Sequence, residues 1–149
     1  MNFEQYYKKC DAGILINNVT KFKNNKKPKI SIISSIYNKQ NYTSILLNIS
    51  FSLLICLNYN ILRFLRSIQS QNFGQIEIIL IVDFSEDNTI NIIENLQKED
   101  GRIRLLKNRK NKGTLISRNE GILISKGKYL IIPDGEDILS DNLLKNIDN

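Results

Sequence analysis

Three carboxylates crowd into the five residues of "PDGED": Asp134, Glu136 and Asp137. A fourth, Asp83, closes the apolar run "IEIILIVD". Grouped acids repel one another unless a cation or hydrogen-bond donors hold them. The pattern therefore calls for a divalent ion with oxygen ligands, or for a solvated turn, since Pro-Asp-Gly is by itself a good turn sequence. The chain contains no histidine, which excludes a Ser-His pair, an imidazole base and a His-ligated metal within it. Cys10 and Cys56 stand far apart without CxxC spacing, so neither a zinc site nor a disulfide framework is indicated. No G-x-G-x-x-G or P-loop run follows any apolar stretch. A diphosphate bound here would rely on a metal rather than on a glycine-rich cradle.

Position decides whether distant acids can meet, and hydrophobic periodicity supplies it. "KISIISSIYN" follows a proline and reads as a first strand, and "IEIILIV" is apolar almost throughout, as strands buried on both faces of a parallel sheet are. "RIRLLKN" and "KYLII" read as two more strands. Between them lie helical patterns. "NILRFLRSIQSQ" gathers Ile61, Leu62, Phe64, Leu65 and Ile68 mostly on one face; "NTINIIENLQKED" has Ser85 or Asp87 placed to cap it; "TLISRNEGILISKG" is stopped by Gly127. The order β-α-β-α-β-α-β with short links predicts a parallel α/β sheet with right-handed crossovers. Asp83 and Asp134 would then both lie at the carboxyl edge, where open α/β sheets bind ligands.

The 149 residues, 42% hydrophobic and 24% charged, suit one soluble globular domain. The formal net charge is +6. Much of the excess sits in "KFKNNKKPK", which reads as a basic polar arm, residues 1–27, ahead of a domain over 28–149. An apolar insertion at about 42–58, "ILLNISFSLLICL" within it, is too short and polar to span a bilayer. No apolar h-region marks the amino terminus, so a cytoplasmic place or the cytoplasmic face of a membrane is favoured.

"PKISIISSIYN", "IEIILIVDFSEDNT", "NKGTLISRNEGILISKGKYL" and "PDGEDIL" occur in the order and approximate spacing of the amino-terminal half of family-2 glycosyltransferases of the GT-A fold. The chain resembles that half over about 28–144. The resemblance implies a Rossmann-like GT-A parallel sheet flanked by helices, cut short after the DxD-like motif, that binds a nucleotide-diphosphate sugar, a UDP-sugar above all. It implies that Ser35 and Tyr37 line the base pocket and that Asp83 hydrogen-bonds the base, a role that could be removed at little cost to stability. Gly113 and Arg118, with Asn119, match a segment bordering the nucleotide. Asp134 would lie near ribose and metal, and Asp134, Glu136 and Asp137 would hold Mn²⁺ or Mg²⁺. The motif departs from the family in reading Asp134-Gly135-Glu136. The extra methylene of glutamate moves the carboxylate by about 1.5 Å and weakens an ion that wants octahedral ligands.

Taken alone, several of these residues also suit plainer roles. Arg118 fits the solvated face of its helix, and Tyr37 fits a strand end with its hydroxyl in water. The ancestral reaction would be transfer of a glycosyl group to an acceptor hydroxyl. The acceptor half and its carboxylate base are expected outside these residues, so the isolated chain is expected to be inactive. A rival of another class is a non-catalytic module whose basic arm contacts RNA or acidic membrane. The acidic edge and the four segments favour the nucleotide-sugar over a nucleic acid.

Overall fold

The computed structural model describes residues 27–37 and 59–148. The basic arm up to residue 26, the insertion expected at 42–58 and both cysteines lie outside the described residues. The elements are β1 (Ile30–Ile36), α1 (Tyr59–Gln69), β2 (Ile76–Asp83), α2 (Thr89–Glu99), β3 (Ile103–Asn108), α3 (Thr114–Ile124), β4 (Tyr129–Ile131) and α4 (Leu143–Asp148). The four strands form one parallel sheet in the order β3-β2-β1-β4. The predicted alternation of strands and helices is thus realised. No described helix is long and apolar enough to cross a membrane.

Strand periodicity sorts the core into two layers. Ile30, Ile32 and Ile36 of β1, Ile76, Ile78, Leu80 and Val82 of β2, and Ile103 and Leu105 of β3 face the larger core. There they meet Ile61, Phe64, Leu65 and Ile68 of α1, Ile93 of α2 and Leu144 of α4. The opposite face presents Ile33, Ile79, Ile81 and Leu106 to Ile122 and Ile124 of α3. Every residue of β2 is buried, as a central strand covered on both faces requires. β4 is shorter than "KYLII" suggests. It pairs with β1 only over Ile30–Ile32, and Pro133, two residues beyond its end, has no N–H to donate, so the ladder stops before it.

The α3 face carries charge at the amino end of the strands. Glu77 is fully buried, and its carboxylate accepts hydrogen bonds from Ser31 Oγ at 2.6 Å, from Arg104 and from the Lys126 amide. Arg104 also donates to the Ile124 carbonyl at 3.0 Å, and the Gly127 amide donates to Ser31 Oγ at 2.8 Å. This network fastens the link between α3 and β4 to the sheet. It also corrects the expectation for Gly127. The helix ends at Ile124 with Ser125 as its extended C-cap, and Gly127 serves close approach instead. A Cβ there would lie 2.6 Å from the Ser31 amide nitrogen and 2.8 Å from the Ile30 carbonyl carbon. The α2 start differs as well. Its N-cap is Asn88 without a side-chain cap bond, while Asp87 Oδ1 accepts the Thr89 amide at 3.0 Å.

Two stability predictions follow from these charges. Glu77→Ala leaves Arg104 buried without its counter-ion and should cost about 3–5 kcal/mol in urea unfolding, whereas Glu77→Leu with Arg104→Met should recover much of that loss. At Asp100, burial alone would raise the carboxyl pKa. Hydrogen bonds from the Arg102 side chain and backbone and from Gln69, with the charge of Arg102, outweigh burial and leave it lowered from the ordinary value of 3.8. A lowered folded-state pKa stabilises above the unfolded value and is lost as pH falls through the folded one. Asp100→Asn should therefore destabilise the domain at pH 7, and its difference from the parent in thermal melts should shrink below about pH 3.8.

Candidate functional site

The carboxyl ends of β1 and β2 and the turn after β4 meet at one edge. Ser35 lies one residue before the end of β1, half-buried, and its hydroxyl has no hydrogen-bond partner among the described residues. Tyr37 follows the strand and is 48% exposed. On β2, Val82 is buried in the larger core, Asp83 turns to the α3 face, and Phe84 opens to solvent.

Asp83 is 3% exposed and its carboxylate is taken up by the chain's own donors. Oδ1 accepts Asn108 Nδ2 at 3.0 Å and the Lys112 amide at 2.9 Å; Oδ2 accepts the Gly113 amide at 2.8 Å. Asn108, which ends β3, donates also to Ser117 Oγ of α3 at 3.0 Å. The loop between β3 and α3 is thus wound around this carboxylate. Gly113, the N-cap of α3, sits at φ 85°, a conformation that side chains rarely adopt. Asn108 is not among the site residues expected from the sequence, although an asparagine closing a strand before a glycine-containing loop can bridge the two. Ser117 gave no such signal.

The acidic turn is brought to the edge by Gly135. It is buried, and a Cβ there would lie 3.3 Å from Ile36 Cγ1 and 3.5 Å from Ser34 Oγ, so the turn folds back onto the end of β1. Within it the Asp137 carboxylate accepts the Asp134 amide at 2.8 Å, and the Asp137 amide donates to the Asp134 carbonyl at 3.0 Å. Asp134, 63% exposed at its side chain, forms an ion pair with Arg118 of α3. Arg118 Nε is buried without a partner among the described residues. Arg118 is therefore turned into the edge rather than out along the helix surface.

Asp134, Glu136 and Asp137 do not form a ligand group in this arrangement. One oxygen of Asp134 is spent on Arg118, and Asp137 is turned back to a backbone amide. Among the described residues no set of three His, Cys, Asp or Glu side chains could hold an ion together. As placed, Asp134 is held by the Arg118 guanidinium rather than grouped with the other two acids.

The geometry at Asp83 predicts a stability effect that sequence alone does not. Asp83→Ala strips the acceptor from Asn108 and two amides and should cost about 2–3 kcal/mol in denaturant unfolding. Asp83→Asn, which keeps one carbonyl oxygen, should lose roughly half as much.

Comparison with known proteins accords with this architecture. The model of glycosyl transferase family 2 matches residues 54–147. The GalNAc(5)-diNAcBac-PP-undecaprenol beta-1,3-glucosyltransferase of Campylobacter jejuni is 34% identical over 85 residues, 57% of this chain and 22% of its own. An uncharacterized glycosyltransferase of Haemophilus influenzae is 32% identical over 118 residues, 79% of this chain and 40% of its own. The chain thus spans less than half the length of these relatives. Among solved structures, TarS 1–349 of S. aureus superposes with a TM-score of 0.64 at 21% identity, over 80% of this chain and 31% of that one. Its complex with UDP-GlcNAc gives 0.63 over 80% and 30%. The four-stranded parallel sheet is that of the GT-A fold, and with the family model matched from α1 through α4 the chain belongs to glycosyl transferase family 2.

Proposed function

We propose that this domain binds a nucleoside-diphosphate sugar, with a UDP-sugar as its first choice, in the crevice above the carboxyl ends of β1 and β4, and that it serves glycosyl transfer to an acceptor hydroxyl. One observation carries the reading. The chain leaves β1 for helices on one face of the sheet and reaches β4 through α3 on the other, so the β1–β4 boundary is a topological switch point, where open α/β sheets bind ligands. The UDP and UDP-GlcNAc complexes of the TarS fold support the ligand class.

In this reading each residue has a part set by its chemistry. Ser35 offers a hydroxyl with no partner among the described residues and Tyr37 an exposed ring at the end of β1, suited to the base. Gly113 opens α3, whose amino end favours negative charge, and Asp83 holds that turn in place from behind. Arg118 supplies planar, permanently charged donors for ribose and phosphate oxygens. Asp134 holds that guanidinium and accepts from sugar hydroxyls. Any Mg²⁺ or Mn²⁺ accompanying the donor competes with Arg118 for Asp134.

Calorimetry or ligand-observed NMR with UDP and UDP-GlcNAc tests the reading. Binding is expected with Kd near 1 mM or tighter, about −4 kcal/mol or better. Arg118→Ala should weaken it several-fold without Mn²⁺. The same variant frees Asp134, so Mn²⁺ with UDP should raise its melting temperature more than it raises that of the parent. Failure of either nucleotide to bind the folded parent would overturn the proposal.

A further inference from the structure

The end of the sheet opposite the carboxyl edge gathers positive charge at one corner. "KPK" leads into β1 and "SKGKY" leads into β4. The two strands are neighbours, with Ile30 in register with Tyr129 and the Tyr129 amide donating to the Lys29 carbonyl at 3.0 Å. Lys27, Lys29, Lys126 and Lys128 therefore converge there. Lys27, Lys126 and Lys128 are exposed and Lys29 is half-buried. Just ahead, "KFKNNK" adds Lys21, Lys23 and Lys26 to the chain that enters at this corner. Neither flanking segment contains an acid. Glu77, near the start of β2, is buried against Arg104. Asp100, paired with Arg102, precedes β3 together with Glu99, and β3 lies at the opposite edge of the sheet, about 14 Å away.

Apolar surface adjoins these lysines. Tyr129 is 37% and Leu130 43% exposed, and strand alternation points them to opposite faces of β4. An edge position alone does not account for this, since β3, the other outermost strand, is buried at five of its six positions. The Lys128 ammonium lies over the Tyr129 ring, 4.9 Å from its centroid, and so joins the charge to the apolar patch.

The side-chain chemistry of the corner favours one kind of partner. All four of its described cations are lysines, compact and strongly hydrated charges that attract anions without directed bonding, whereas nucleic-acid surfaces draw on the planar fork of arginine and on stacking platforms. Long lysine stems beside a tyrosine and a leucine suit the boundary between lipid headgroups and acyl chains. We infer that the β1–β4 corner is a docking surface for an anionic phospholipid membrane, with Lys27, Lys29, Lys126 and Lys128 against headgroup phosphates and Tyr129 and Leu130 at the level just beneath them. A domain seated this way keeps its carboxyl edge, about 25 Å away along β2, open to solution. The surface is separate from the proposed nucleotide-sugar site, and the two readings stand or fall independently.

Cosedimentation of the full chain with lipid vesicles is the test. At about 0.1 M salt the chain should sediment with phosphatidylcholine vesicles that contain about 30% phosphatidylglycerol and stay in solution with phosphatidylcholine alone. Lys126→Ala with Lys128→Ala should weaken binding about fivefold for each lysine removed. Its melting temperature should not change, because Lys126 fastens the end of α3 through its amide rather than its side chain. Lys98→Ala with Lys145→Ala removes the same charge from exposed positions on α2 and α4 and should leave binding within about twofold. Leu130→Ser should weaken the binding that survives at about 0.5 M salt. Equal sedimentation with neutral and anionic vesicles, or equal weakening by the two lysine pairs, would overturn the inference. So would tighter binding of polyuridylate than of the vesicles, lost in the Lys126 and Lys128 variant, which would give the corner to nucleic acid, or a dimer in sedimentation equilibrium that Leu130→Ser breaks, which would give it to a second copy.

Discussion

The carboxyl edge of this domain depends on how α3 is seated across the sheet. It is the helix that covers the Ile33–Ile79–Ile81–Leu106 layer, and it carries the chain from one edge of the sheet to the other. β2 holds it at both ends. Glu77 takes the amide of Lys126 just past the helix, and Asp83 takes the amides of Lys112 and Gly113 just before it. Six residues of strand span about 20 Å, and so do the 13 or so helical steps between those anchor points, roughly. Between them Gly121 lets the helix down onto the sheet, for a Cβ there would lie 2.4 Å from Ile33 Cγ2. A side chain at that point would lift the whole helix, and with it Arg118.

That seating also shows how a basic chain accommodates its acids along α3. Four carboxylates packed around the helix each have a donor set of their own. Glu77 faces Arg104, Asp83 faces amides and Asn108, Asp134 faces Arg118, and Glu120 faces Lys112 at 2.6 Å. The two anchors on β2 are buried and cannot be released without large cost. The Asp134–Arg118 pair is different in kind, because Asp134 is mostly exposed. Exposed pairs are weak, so this one can open while the anchors stay closed. The division places rigidity at the strand ends and adaptability in the turn after β4.

The strain at Phe84 belongs to the same division. Asp83 is held so firmly that the chain immediately after it has little freedom, and Phe84 takes a left-handed turn that leaves its ring in solvent. The fold tolerates that conformation because the three bonds on Asp83 over-determine it.

Much of the architecture was legible in the residues themselves. Continuous apolar runs such as "IEIILIV" mark doubly covered parallel strands, and the 3.6-residue pattern of "NILRFLRSIQ" marks a helix with one face in the core, because burial of alternating or clustered side chains is decided locally. The motifs also place Asp83 and Asp134 at the carboxyl edge, where the folded sheet has them. What no local pattern could decide was the partner of each charge. Glu77 reads as one acid in an apolar strand, yet its partners Ser31, Arg104 and Lys126 come from three other segments. Asp83 reads as a ligand for something outside the chain, and only the arrival of the β3–α3 loop shows that its donors are internal. Gly127 reads as a helix stop, and only the approach of β1 shows that the backbone of Ser31 needs the space. Periodicity is set by near neighbours and survives in the sequence, whereas hydrogen-bond partners and clearances are set by segments that meet only when the chain has folded.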